Sequence, residues 1–448
     1  MGNGDHRQQR GPVSEHALRA ADRVNKRRHF ILLLMAILVA GFALRVAYFT
    51  WAPKDYAAAD SDYDDIAQNL AAGKGFSLDK PVPGRNSGEP SREVRTVPVA
   101  SRTPAYPFFL AAVYKLFGRR LKLVYLIQTV IDMLSALLLY FLTLRIAGSE
   151  RVALVATLIY ALYMPFMSQT AVLLNETLFG FLLLGFTLVS VRALEHPSFA
   201  NFLASGALLG AVTLCRPTTF LFPVVLLAAV LIRYRGVIGQ LVVPSVAFVA
   251  GFVALVAPWV VRNYVVLDYV GLVGSLAGEQ VYAANYIWHR PNTPEPMVPD
   301  DLRAKLAGKS DIERNKILMR EGFRQILLHP VNFAKNVLYR TSTFWTAIGM
   351  GGPAFFYFSS GRAGKEMCVF VVVVNIALII ASVIAFVMFR GPWTKASFVP
   401  LLLLGYFYII HLPIIALVRY SMPVIPFLMM FAAVAIVNLF GKARTAAS

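Results

Sequence analysis

Charge is scarce in this chain: 15% of its 448 residues are Asp, Glu, Lys or Arg, against about a quarter in an ordinary soluble domain. Apolar residues make up 57% and come in long runs. A soluble domain would have to bury several such runs completely against one another. A bilayer removes that demand, because a helix of about 20 apolar residues satisfies its own backbone across a hydrocarbon core of about 30 Å. Cysteine is rarer still: Cys215 and Cys368 both sit in apolar surroundings and read as packed thiols, not as a bridge. CxxC, HExxH and paired metal-ligand clusters are missing, so no metal or cofactor is demanded. A divalent cation held by two carboxylates stays open. The net charge of +19 is spread over helix ends and loops. Basic ends beside anionic lipid headgroups account for it without nucleic acid. Residues 1–28 are too long and too polar for the n-region of a typical signal peptide. The first apolar run lacks a small-residue cleavage site, so it reads as a retained span.

The apolar runs predict about ten helices of roughly 20 residues each. They fall near Phe30–Thr50, Leu121–Ile146, Val152–Ala171, Glu176–Leu194, Phe202–Leu214, Phe220–Ile232, Leu241–Val261, Val369–Phe389, Phe398–Leu417 and Val424–Phe440. Thr103–Gly118 is apolar but short, with Pro104 and Pro107 at its start, and reads as an interfacial helix. Asn336–Phe358 is apolar but interrupted by Arg340 and GMGGP, and reads as interfacial or re-entrant. The basic N-terminal tail and the bases of the short turns place both termini in the cytoplasm. Arg119, Arg120 and Lys122 run against that rule, since they fall outside.

With this topology an unusual set of polar residues collects on the outer face. Asp60 and Asp62 follow the first span, and Arg102 precedes the second. Asn175 and Glu176 lie between the third and fourth, and Arg216 between the fifth and sixth. Arg262 closes the seventh, and Arg419 the ninth. Guanidinium groups grip phosphate and stay charged in poorly solvated places. A carboxylate beside them can take a proton from an attacking hydroxyl. Each residue also has a plainer reading. An arginine at a helix end commonly snorkels to the headgroups, and four acids within Asp60–Asp65 also suit a solvated helix face. Asp132, inside the second span, is either functional or packing glue toward Gln128 or another helix.

The segments DSDYDDIAQNLAAGKGFS (Asp60–Ser77) and SRTPAYPFFLAAVYKLFG (Ser101–Gly118) resemble the opening of bacterial lipid-carrier-dependent glycosyltransferases. These are relatives of protein O-mannosyltransferases and of the lipid A aminoarabinose and galacturonic acid transferases, which share the GT-C fold. NETLF at Asn175, CRPT at Cys215, APWVVRNY at Ala257, HPVNF at His329 and RYSMPVIP at Arg419 follow in the family's order. The resemblance implies an all-α polytopic GT-C-like bundle with interfacial helices in its first outer loop and a long outer loop. It divides the chain into a basic tail (1–29), a transmembrane catalytic core (30–261) with an acidic first outer loop (51–120), and a long outer loop (262–366). C-terminal transmembrane helices (367–441) and a tail (442–448) follow.

The same resemblance implies an activity: a monosaccharide passes, with inversion, from a polyprenyl-phosphate donor to an acceptor hydroxyl on a lipid, glycan or protein. The reaction would occur on the outer face of the bacterial inner membrane, among membrane lipids. Asp60 best matches the general base. In many relatives the acid stands one residue earlier, at the position of Ala59, which keeps Asp62 open as a second candidate. Glu176 matches a second acidic position that orients the acceptor or a cation. Arg102 and Arg419 match arginines that would hold the donor phosphate, and Arg216 and Arg262 join them as phosphate-binding candidates. Glu279, Asn285 and His289 stand as acceptor candidates in the long loop. Two other readings are a secondary transporter, with Asp132 as its deep acid, and a ligase moving whole glycan chains. The chain shows no internal repeat of the kind transporters carry.

Overall fold

The computed structural model describes residues 12–51, 61–83, 90–275, 277–286, 298–346, 362–388, 396–414 and 418–447. The chain opens with α1 (Pro12–Trp51), whose apolar part, Asn25–Trp51, is long enough to cross a bilayer. The loop after this helix then folds into α2 (Ser61–Ala71), the hairpin strands β1 (Ser77–Pro83) and β2 (Pro90–Pro98), and α3 (Ala105–Phe117). The central bundle contains α4 (Leu121–Ala147), α5 (Glu150–Leu162), α6 (Met164–Thr170), α7 (Glu176–Glu195), α8 (Phe199–Cys215), α9 (Phe222–Arg233) and α10 (Ile238–Leu267). The long loop carries α11 (Ala277–Tyr286), α12 (Asp300–Leu306), α13 (Asp311–Leu328) and α14 (Pro330–Thr346). The chain closes with α15 (Arg362–Met388), α16 (Phe398–Ile410) and α17 (Ile425–Ala447).

Local signals set several of these boundaries. Gly148, in the left-handed conformation at φ 63°, ends α4, and the Ser149 hydroxyl caps α5 by accepting from the Val152 amide. Ser198 caps α8 in the same way, and Ser310 with Glu313 forms a full capping box on α13. The hairpin pairs antiparallel from Ser77↔Pro98 to Pro83↔Pro90, with an irregularity between Pro81 and Pro83. It is the departure from the expected all-α architecture.

Among the described residues, six helices are long and apolar enough to span a membrane, or seven if α5 and α6, bent by 56° at their junction, count as one. The remaining members of the expected ten are α8, the α9 segment and α16, which are apolar but fall short of the spanning length. α3 is a short apolar helix. Tyr106, Leu110 and Tyr114 are buried on one face, while Phe108 and Leu116 are exposed away from it. α14 covers the first half of the ambiguous 336–358 stretch, and residues 347–358 lie outside the described residues.

The core is built around α17, whose residues from Ile425 to Ala435 are all buried, packed against α15 and α5. Apolar side chains left exposed, such as Ile31, Val39, Val246, Val253, Val373 and Ile380, belong to spanning helices and face the position of lipid. α8 and α10 approach until their backbones touch. A Cβ placed on Gly206 would lie 1.9 Å from the Phe248 carbonyl oxygen, and one on Gly251 would lie 2.3 Å from that of Leu203. Small residues at such a contact allow the van der Waals packing that holds membrane helices together. Gly206→Val is therefore expected to destabilise the bundle by about 1–3 kcal/mol or more, read as a lowered thermal midpoint in detergent. An unchanged midpoint would mean that the two helices separate at no cost.

Candidate active site

The acidic stretch after the first span is the beginning of α2. Asp62 and Asp64 lie in its first turn, where the positive end of the helix dipole favours them. Asp60 lies outside the described residues. Asp62 reaches Arg102 at 3.4 Å, and the Arg102 guanidinium lies 5.3 Å from the centre of the Tyr63 ring. Asp64 points the other way, accepting from Tyr114 at 2.7 Å and from Arg119 at 2.5 Å. Arg119 is thus partnered by the acidic helix beside it.

Asp65 is exposed and stands next to both acids. Partial burial, then the charges of Asp64 and Asp62, raise its pKa above the usual carboxylate value. An acid whose pKa rises on folding costs stability above its folded pKa, and the cost vanishes below its unfolded one. Asp65→Asn should therefore raise the thermal midpoint near neutral pH and leave it unchanged below the carboxylate range. A loss at neutral pH would show that Asp65 has an attractive partner.

The Gly-x-Gly-Phe element turns the chain from α2 into the hairpin. Gly73 and Gly75 have φ of 78° and 75°, a region that disfavours residues with a Cβ. Phe76 then packs on Trp259 at 4.7 Å. Arg262 closes this corner: it donates to the Val99 carbonyl at 2.7 Å and the Phe76 carbonyl at 2.8 Å. Its guanidinium also lies over the Phe76 and Trp259 rings. Arg262 thus ties the end of α10 to the loop between α1 and α4. With its donors held by backbone oxygens, it differs from the other arginines of the set.

The neighbours of Arg102 and Glu176 meet on a single backbone atom next to Arg216. The Cys215 carbonyl, just before Arg216, accepts from the Thr103 hydroxyl at 2.8 Å and from the Asn175 amide at 2.8 Å. Thr103 follows Arg102, and Asn175 precedes Glu176. One oxygen therefore fastens Arg102, Glu176 and Arg216, which are distant in sequence, into one neighbourhood. α8 ends at Cys215, so that carbonyl has left the helical ladder and is available to outside donors.

Within this neighbourhood Glu176 and Arg216 face each other at 3.8 Å, with 3% and 11% of their side chains exposed. That spacing is an ion pair but longer than a hydrogen bond. Among the described residues, Arg216 Nη1 and Glu176 Oε2 are buried with no hydrogen-bond partner. Buried charged groups are ordinarily saturated with partners, so this pair keeps binding capacity. The Arg216 guanidinium lies 5.1 Å from the centre of the Tyr420 ring, and Arg419 lies 5.4 Å from the same ring. His411 stacks on that ring at 5.0 Å. Tyr420 is therefore a shared platform for two candidate phosphate ligands. It was visible in sequence only as the second letter of the Arg-Tyr motif.

The long loop reaches the same region. Gln280 of α11 donates to the Tyr420 hydroxyl at 3.4 Å. Of its acceptor candidates, Glu279 is exposed and His289 lies outside the described residues. Asn285 is buried and structural, donating to the Val281 and Pro413 carbonyls at 2.8 Å each. Arg340, on α14, donates to the Leu412 carbonyl at 2.6 Å and to Asn285, and burial lowers its pKa to about 10. It clamps α11, α14 and the end of α16 together.

No group of three or more His, Cys, Asp or Glu gathers as a metal site among the described residues. Asp62 and Glu176 each face a guanidinium group. Both cysteines are free.

These features define a multi-pass membrane protein with the GT-C fold, its candidate site at helix ends. Residues 101–261 match the family model of dolichyl-phosphate-mannose-protein mannosyltransferases, a segment that contains Arg102, Glu176 and Arg216. Among solved structures, the chain is similar to the oligosaccharyltransferase of Archaeoglobus fulgidus. The apo form has a TM-score of 0.55 and 15% identity, covering 92% of this chain and 51% of that one. The form tethered to an acceptor peptide has a TM-score of 0.54 and 13% identity, covering 93% and 50%. The chain thus spans about half the length of that archaeal protein. ArnT from Cupriavidus metallidurans bound to undecaprenyl phosphate matches over 91% of this chain and 77% of that one, at 13% identity and a TM-score of 0.40. No curated protein matches the chain by sequence.

Proposed function

We propose that the protein is a membrane glycosyltransferase that moves a monosaccharide from a polyprenyl-phosphate donor to an acceptor hydroxyl, at the outer face of a bacterial inner membrane. The observation that carries this reading is the joining of Arg102, Glu176 and Arg216 through the Cys215 carbonyl, with Arg419 sharing the Tyr420 ring. A donor of this kind is an amphiphile whose reactive bond lies at headgroup depth, and helix ends are where that bond would be met. The family matched by residues 101–261 takes its name from a lipid-phosphate sugar, which supports the donor class.

In this mechanism Asp60 takes the proton of the acceptor hydroxyl as its oxygen attacks the anomeric carbon. The bond from that carbon to the phosphate oxygen breaks on the opposite side, so the centre inverts. The departing lipid phosphate gains charge, and Arg216 and Arg419 stabilise it more in the transition state than in the bound donor. Asp62, already beside Arg102, holds that guanidinium toward the site. Glu176 balances Arg216 and orients the acceptor. Arg262 fixes the first outer loop and does not touch phosphate.

The test is transfer by reconstituted protein, offered polyprenyl-phosphate hexoses and pentoses with envelope lipid and glycan extracts as acceptors. Mass spectrometry should show an acceptor gaining one sugar residue. If no donor gives a product and the vesicles instead accumulate free solute, transport replaces transfer.

A further inference from the structure

Resting on that reading, we infer that Gln128 and Asp132 of α4 brace the broken segment leading to Glu176, with Arg45 of α1 as the counter-ion, so that these three are positioning residues for the reaction. The segment needs a brace because of its sequence. In an α-helix the carbonyl of residue 161 would accept from the amide of residue 165, but Pro165 has no N–H. The chain bends by 56° at this junction, and the Ala161 carbonyl loses its helical partner inside the bundle. Arg45 replaces that partner. Its Nη1 donates to the Ala161 oxygen at 2.8 Å, while its Nε donates to Asp132 Oδ2 at 2.5 Å. The second oxygen of Asp132 accepts from the Tyr160 hydroxyl at 2.7 Å. Arg45 is fully buried and the Asp132 side chain is 5% exposed. Both oxygens of the acid in the second span are therefore partnered, one by a counter-charge and one by a phenol.

Gln128 acts at the other end of the same segment. Its Nε2 donates to the Thr170 carbonyl at 3.1 Å and the Val172 carbonyl at 2.9 Å, just past the end of α6. Its Oε1 accepts from Tyr106, on the helix that follows Arg102, at 2.8 Å. Gln128 and Asp132 are spaced i, i+4, so both project from one face of α4. One reaches the entrance of the broken segment through Arg45 and Tyr160, and the other holds its exit before Glu176. A narrow cavity lined by Asp132, Tyr160, Gln169 and Glu176 runs between the brace and the site. Glu176 is thus held from α4 on one side and by the Cys215 node on the other. A purely structural ion pair would stabilise the bundle and nothing more; the Gln128 contacts on both carbonyls before Glu176 point to placement.

The two roles separate in the variant Arg45→Met with Asp132→Leu, because a buried ion pair replaced by apolar residues of similar volume commonly leaves the fold intact. We expect it to insert and to keep a thermal midpoint near that of the parent protein. Amides of residues 164–175 should exchange hydrogen at least about 10-fold faster, reflecting local opening. kcat should fall about 100-fold, as misplacement of a reacting group predicts, with donor KM nearly unchanged. Gln128→Met should give the same pattern, and it carries the test if the double variant does not fold. Parental exchange rates over 164–175 would overturn the brace, and faster exchange with unchanged kcat would overturn its link to Glu176. Exchange is measured without turnover, so a protein that transfers no sugar at all defeats the proposed function and not the brace.

Discussion

Asp60→Asn is expected to lower sugar transfer by about 10²–10⁴-fold, the range removed with a general base, while the protein inserts and melts like its parent. The amide is nearly isosteric with the carboxylate but takes no proton at neutral pH. Asp62→Asn should behave differently, because Asp62 lies 3.4 Å from Arg102 and already balances a charge. Its loss frees Arg102 to move, so the effect should be smaller and appear mainly in the donor KM. Single-turnover rates with both variants decide the matter. A larger loss of rate in Asp62→Asn transfers the role of base to that residue. Full activity in both variants excludes each of these acids as the base.

Arg216→Met should have the second large effect, on both activity and folding. As a group aimed at a leaving phosphate, Arg216 should be worth about 10²–10³ in kcat, the loss found when one transition-state donor is removed. Its removal also leaves Glu176, with 3% of its side chain exposed, without a counter-charge. Breaking one partner out of a buried pair costs about 3–5 kcal/mol. Adding Glu176→Gln to Arg216→Met removes the stranded charge, so the double variant should recover thermal stability but not turnover. Recovery of both would show that Arg216 serves only Glu176. Recovery of neither would mean that the Tyr420 platform collapses without the guanidinium stacked on it, and phosphate binding would then need another explanation.

Individual residues show how far the chain could be read without its fold. The short apolar helix Ala105–Phe117 was legible because an apolar run with prolines at its start has few other solutions. The hairpin was not legible, since prolines at Pro81, Pro83, Pro90 and Pro98 obscure the alternation that marks strands. Arg45 stands alone inside an apolar run, where an intramembrane charge is a suspect by default. Set beside Asp132, it offered the one available sign of a buried pair. Arg262 looked like Arg216 and Arg419 in sequence, as an arginine at a helix end. It differs because the Val99 and Phe76 carbonyls lie within its reach.

Run length and composition are sufficient to require a helical membrane bundle, since apolar area and backbone satisfaction add up along the chain without reference to partners. Motif order was sufficient to nominate the acids and arginines. Their assembly was not legible, because it passes through the carbonyl of Cys215, and every residue carries the same carbonyl. Which one accepts from Thr103 and Asn175 depends on where α8 stops and which helix ends meet there. Such contacts exist only once the chain has folded.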